Sequence, residues 1–237
     1  MHIIDLATIP DLAIALLLDW TDTNRLIDLP SRPARLEWIG KAYRDWVGND
    51  SDRVNAKFFS SEILKPGGTS YTSVSQHYIS AAAARGFLIF LEKLARQFAE
   101  DHGSEDDLLR AGLCGGLQQL QHIMMSNGKL LGGDAKESCE HFYILFRSAL
   151  NHLAVKAEES KQLRYHLRPK IHHLEHLILD HCRQGRNYRY VSCYLGEDMV
   201  RLMKRMALRL HPLVCGQRSV EHYALHVCLK WAGLLDD

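Results

Sequence analysis

Residues 172–176 read His-His-Leu-Glu-His, inside the stretch RPKIHHLEHLILDHC at 168–182. This is the H-x-x-E-H string of one zinc peptidase class. On a helix, His172 and His176 lie one turn apart on one face, within reach of a single zinc ion. Glu175 would then orient a water as general base. Such chemistry also needs a third protein ligand and a substrate cleft, and no residue pattern supplies either. Eight of the 14 histidines fall between 166 and 226, so so short a string arises readily by chance. The competing expectation is a packed helix whose histidines are partly buried with hydrogen-bonded rings, and the composition favours it over zinc.

Other catalytic templates fit less well. CGGLQQ and LGGD lack the lysine or third glycine of a phosphate cradle, and no G-x-S-x-G elbow occurs. Glu197 and Asp198 are adjacent, so on a helix they diverge by about 100° and make a poor acid–base pair. Six cysteines are scattered without a C-x-x-C spacing, the usage expected of reduced, mostly buried thiols in an intracellular protein.

These residues must be held by helices. Apolar residues make up 46% of the 237 and charged residues 24%, ordinary values for a globular chain with a real core. PDLAIALLLDW at 10–20 reads as a helix buried on most sides and too short to cross a bilayer. SRPARLEWIGKAYRDWVG places Leu36, Ile39, Tyr43, Trp46 and Val47 at helical spacing, with Ser31 as a cap and Gly48 as a stop. A long helix is expected to end at Gly103, and Ser104 followed by acidic residues opens the next. Further helices are expected over AKESCEHFYILFRSALNHLAVKAEESK, over the histidine string, over EDMVRLMKRMALRLH and over the last twenty residues. Between 188 and 194, tyrosines alternate with Arg189, Val191 and Cys193, a period of two that favours a short strand. The expectation is a mainly α, single helical domain of seven or eight helices with at most one or two short strands. It would comprise a mildly acidic region 1–160 and a basic, histidine-rich region 161–237 packed on it.

The net charge is only +1, yet its distribution is uneven. Residues 161–230 hold 13 Lys and Arg against 5 Asp and Glu, whereas 1–160 hold 16 against 21. A basic block in a near-neutral chain reads first as a basic face solvating helices, with an anionic partner as the alternative.

Two stretches carry a resemblance. LRPKIHHLEHLI, followed by NYRYVSCYLGEDMVRLMKRM, resembles the C-terminal part of DDE transposases of the CACTA and Plavaka kind. The matching residues are Pro169, Lys170, His172, His176 and Leu177, then Gly196, Glu197 and Lys204. The start, MHIIDLATIPDL, is similar to a family segment through Met1, His2 and Leu6, with Ala7 in place of the usual glycine. About 70 residues are covered. The resemblance implies a remnant of an RNase H-like fold with a helical insertion, in which Glu197 takes the place of the third catalytic carboxylate. Its companion aspartates have no counterpart here, because the one before Met-His would precede residue 1. Divalent metals are therefore implied only for a complete enzyme, and zinc is not expected.

Three functions follow as expectations. The first is a non-catalytic, transposase-derived domain that binds DNA or RNA. Arg164, Arg168, Lys170, Arg183, Arg186, Arg189, Lys204 and Arg205 would contact phosphates, and Tyr188 and Tyr190 would stack on bases. The second is a structural or protein-interaction helical domain. The third is zinc-dependent hydrolysis at His172, Glu175 and His176. An intracellular, soluble setting is expected, nuclear if the resemblance holds.

Overall fold

In a computed structural model the described residues are 3–23, 26–65, 70–191, 204, 207, 208, 214–232 and 234. They form seven α-helices and no sheet. Contacts divide the chain into two compact units, 1–191 and 192–237. Residues 161–191 thus belong to the first unit.

The apolar N-terminal run forms α1 (Ile9–Leu18), flanked by the wide π-helical turns Ile4–Thr8 and Asp19–Thr23. As its sequence requires, it is buried on most sides: Ile4, Ile9, Leu16, Leu17 and Trp20 are fully enclosed. Two aspartates open the π turns, Asp5 and Asp19, and both are buried. Inside an apolar core each must find donors, and each does. Gln121 Nε2 donates to Asp5 Oδ1 at 2.7 Å; the partners of Asp19 are given below.

Helix α2 (Arg32–Val47) starts where expected, with Ser31 Oγ accepting from the Ala34 N–H at 3.3 Å and Pro33 in the first turn. It stops at Gly48, whose φ of 61° suits a residue without a side chain. Tyr43 packs edge-on against Phe87 and Phe90, and Phe58 and Phe59 of a short 3-10 turn close the same cluster. The Tyr43 hydroxyl accepts from the Val54 N–H at 3.1 Å, which fastens the connecting loop.

Three long antiparallel neighbours make the scaffold: α3 (Ala81–His102), α4 (Glu105–Ser126) and α5 (Gly133–Glu159). Ser80 and Ser104 cap α3 and α4, and Gly103 adopts the left-handed conformation between them. Of the two glycines of CGGLQQ, Gly116 serves packing and Gly115 faces open space. A Cβ on Gly116 would lie 2.9 Å from both Phe142 O and Phe146 N, so α4 and α5 meet there backbone to backbone.

The histidine string forms α6 (Pro169–His176), which continues as a π-helical segment, Leu177–Cys182, packed on α5. The expected strand at 188–194 is corrected in its described part. Tyr188–Val191 is a 3-10 turn, because Asn187 Oδ1 accepts the Arg189 N–H at 3.0 Å and folds the chain back on itself. In the second unit the described helix is α7 (Cys215–Trp231).

Candidate functional site

The segment 161–191 is tied to the helical body by a buried charge network. Asp19 accepts from Arg110 Nε and Nη2, both at 2.9 Å, from the Tyr165 hydroxyl at 2.5 Å, and from Arg164 Nη1. Asp107 accepts from Arg110 Nη1 at 2.9 Å and from the Ser104 hydroxyl at 2.5 Å. Burial opposes the Arg110 charge, but Tyr165 and Asp19 beside it hold the guanidinium firmly protonated. Burial first, and then the Asp19 charge, push the Tyr165 phenol well above its ordinary value, so it stays a neutral donor. Tyr165 and Lys161 adopt positive φ, at 53° and 55°. For a bulky residue such as tyrosine this is strained, and the bonds to Asp19 and Arg110 keep it in place.

This network removes one expected phosphate contact, Arg164, from solvent, whereas Arg168 pairs outside it and stays partly exposed. Arg164 is enclosed against Asp19 and Asp22, and Arg168 lies 2.6 Å from Asp11. Tyr188 is 1% exposed and cannot stack on a base, whereas Tyr190 is 49% exposed. Arg183 forms a two-point pair with Glu140 of α5, Nε to Oε2 at 2.8 Å. Lys170 and Arg186 are exposed and have no ion pair among the described residues, and Lys204, in the second unit, is exposed. Gly196, Glu197 and Arg205, like Met1 and His2, lie outside the described residues.

A grouping that the sequence did not suggest appears at the end of the segment. Leu130 and Arg186 form an antiparallel bridge, flanked by bonds from Leu131 N to Gly185 O at 2.9 Å and from Asn187 N to Lys129 O at 3.0 Å. Asn187 is the clamp: its Nδ2 donates to the carbonyls of Met124, Asn127 and Gly128 within 3.1 Å. The bridge carries Lys129 to Arg186, and Lys136 lies against Gly185, whose φ is 76°. Arg189 donates to Met125 O at 3.1 Å and sits 5.8 Å from the Tyr190 ring centroid. Arg189 therefore borders the exposed Tyr190, and the bridge and the turn at Gly185 bring Lys129, Lys136 and Arg186 together on the neighbouring backbone. Sixty residues separate the two halves of this surface, so only the clamp at Asn187 reveals it.

The histidine rings of α6 are hydrogen-bonded, as expected, but more than half exposed. His172 is 65% and His176 56% exposed, because Ile171, Leu174 and Ile178 take the inward face. Their Nε2 atoms are 3.1 Å apart, His176 Nδ1 is 2.8 Å from Asp180 Oδ2, and His172 Nδ1 is 3.5 Å from Glu175 Oε2. Glu175 thus faces the far nitrogen of His172, away from the side on which a metal-held water would sit. Among the described residues, no three or more His, Cys, Asp or Glu gather to hold a metal ion, and no helix is long and apolar enough to cross a membrane.

Behind this helix, Cys139 of α5 and Cys182 meet thiol to thiol, both buried. Cys139 donates to Cys182, which holds Cys139 above and Cys182 below the ordinary thiol range. An open cleft of about 590 Å³ lies beside the strained 161–167 loop, with the Tyr71 and His166 rings stacked 3.8 Å apart on its wall. Comparison of the chain with protein-family profiles, with curated proteins and with solved structures finds no match.

Proposed function

We propose that this chain is a non-catalytic helical domain that binds nucleic acid through the basic surface around Tyr190. The reading rests on one observation: the Asn187 clamp and the Leu130–Arg186 bridge bring Lys129, Lys136 and Arg186 onto the backbone that leads into Arg189 and the exposed Tyr190 ring. Cations bordering a solvent-facing tyrosine suit a single strand, whose phosphates meet the charges and whose bases stack on the ring. The local resemblance to DDE transposases supports the same partner class. In this reading Arg164 and Arg168 are structural, and Lys170 lies on the flank of the surface.

Filter binding of labelled single-stranded DNA and RNA across a salt series tests it. Each lost phosphate contact lowers the slope of log affinity against log salt by about 0.7 on a single strand. Lys129→Ala and Arg186→Ala are each expected to produce that change, and Tyr190→Ala to weaken binding at every salt concentration. Lys41→Ala, at an exposed position of α2, is the control expected to change nothing. Wild-type protein without salt-dependent affinity overturns the proposal. It would favour a structural or protein-interaction domain, a reading already supported by the arginines held in internal ion pairs with Asp19, Asp11 and Glu140.

A further inference from the structure

The histidine pair of α6 has a charge problem that a bound cation would solve. A carboxylate only accepts hydrogen bonds, so the nitrogen facing it must carry the proton. His176 Nδ1 faces Asp180 at 2.8 Å and His172 Nδ1 faces Glu175 at 3.5 Å, the second contact being the weaker. A neutral His172 could donate its Nε2–H to His176 across 3.1 Å only by turning a bare Nδ1 to Glu175; with both protons on Nδ1, the two Nε2 lone pairs face each other. Two lone pairs at that distance repel unless a positive charge lies between them. Either a proton or a metal ion can supply it.

The spacing suits a metal. Two imidazole nitrogens each about 2.05 Å from one ion and separated by 3.1 Å subtend about 98° at it, between octahedral and tetrahedral angles. The rings are inclined at 70° with centroids 4.5 Å apart, so they converge without stacking. Carboxylates on the outer nitrogens are the usual support of metal-bound histidine: they fix the tautomer and raise the basicity of the ligating atom. The backbone provides the rest. His172 and His176 are successive positions on one face of α6, and the π-helical segment that follows carries Asp180 onto the second ring. The three inward residues Ile171, Leu174 and Ile178 keep this face turned to solvent.

We propose that His172 and His176 form an exchangeable binding site for a first-row divalent transition ion, with Asp180 and Glu175 as outer-shell supports. Imidazole ligands select zinc, nickel and copper over magnesium or calcium. Only two protein ligands are present, since no third histidine, cysteine or carboxylate joins them among the described residues. Water fills the remaining positions, so the ion exchanges readily. Bridging one turn of α6 couples the ion to folding, because a ligand that binds only the folded chain stabilises it. The inference is independent of nucleic-acid binding.

Isothermal titration of the chelator-treated full chain with zinc chloride, and separately with copper and nickel, tests the site. Wild type is expected to show a tightest class of one ion per chain, with copper tighter than zinc or nickel, and zinc is expected to raise the thermal unfolding midpoint. His172→Gln/His176→Gln should lose that class and the midpoint shift, leaving only the weak background of the remaining histidines. Asp180→Asn, which keeps both imidazoles, should weaken the class about tenfold. Identical titrations of wild type and the double variant overturn the proposal. If the double variant fails to fold, unchanged affinity in Asp180→Asn overturns it instead.

Discussion

Asp19→Asn probes the joint on which the placement of segment 161–191 depends. The carboxylate is the shared acceptor of Arg110, Arg164 and Tyr165, all enclosed by protein. An amide keeps the shape but removes the charge, and its NH₂ would face a guanidinium or hydroxyl that also donates. Arg164 keeps a 3.9 Å contact with Asp22, and Arg110 keeps Asp107 and a distant Asp106. Breaking a buried ion pair from one side costs about 3–5 kcal/mol, because the partner charge stays desolvated. With a urea slope of about 3 kcal/mol per M, the midpoint should fall by roughly 1–1.7 M. Tyr165→Phe gives the internal scale. It removes the hydrogen bond to the Asp19 carboxylate, about 1.5–3 kcal/mol or roughly 0.5–1 M, together with the longer 3.3 Å bond accepted from Arg110 Nε. The positive φ at 165 is the same for Tyr and Phe, so backbone strain cancels from that comparison. Urea titration followed by far-UV circular dichroism, with unchanged slopes, measures both. A fall under about 0.3 M for Asp19→Asn would mean that water screens the network as it does a surface pair, and the reasoning would fail.

Three further outcomes are expected. Gly116→Ala should destabilise by about 1–3 kcal/mol through its clash with the α5 backbone, whereas Gly115→Ala, with open space around it, should stabilise by about 0.5–1 kcal/mol; urea midpoints compare them. Burial, against the opposing charges of Arg168 and Lys170, raises the Asp11 pKa to about 6, above the value of about 3.9 for an unfolded aspartate. The folded chain therefore binds the extra proton, and this contribution to stability is lost as pH rises from about 4 to about 6. Asp11→Asn should raise the urea midpoint at pH 7.5 and leave it unchanged near pH 3.5; destabilisation at pH 7.5 would mean that the Arg168 pair outweighs burial. Finally, brief alkylation of the native chain followed by peptide mapping should label Cys228, which is exposed, and spare buried Cys114, Cys139 and Cys182 until urea is added.

Local signals were legible in the sequence wherever a single element decides the outcome. Ser31, Gly48, Gly103 and Ser104 set helix ends through their own backbone and side-chain bonds, and the apolar run at 10–20 could only be buried. The turn at 188–191 was misread because alternation of residue types reports a strand only if a neighbouring strand exists to pair with it. Here Asn187 supplies a closer acceptor.

What the sequence determined by itself was the helical order of the chain and the one-turn spacing of His172 and His176, since both follow from a 3.6-residue period. Tertiary structure decided which charges are free. Asp19 draws Arg164 out of solvent across 145 residues, and Asn187 brings Lys129 to Arg186 across about 60. Such pairings depend on which surfaces the helices bury against one another, and no local pattern of residue types carries that information.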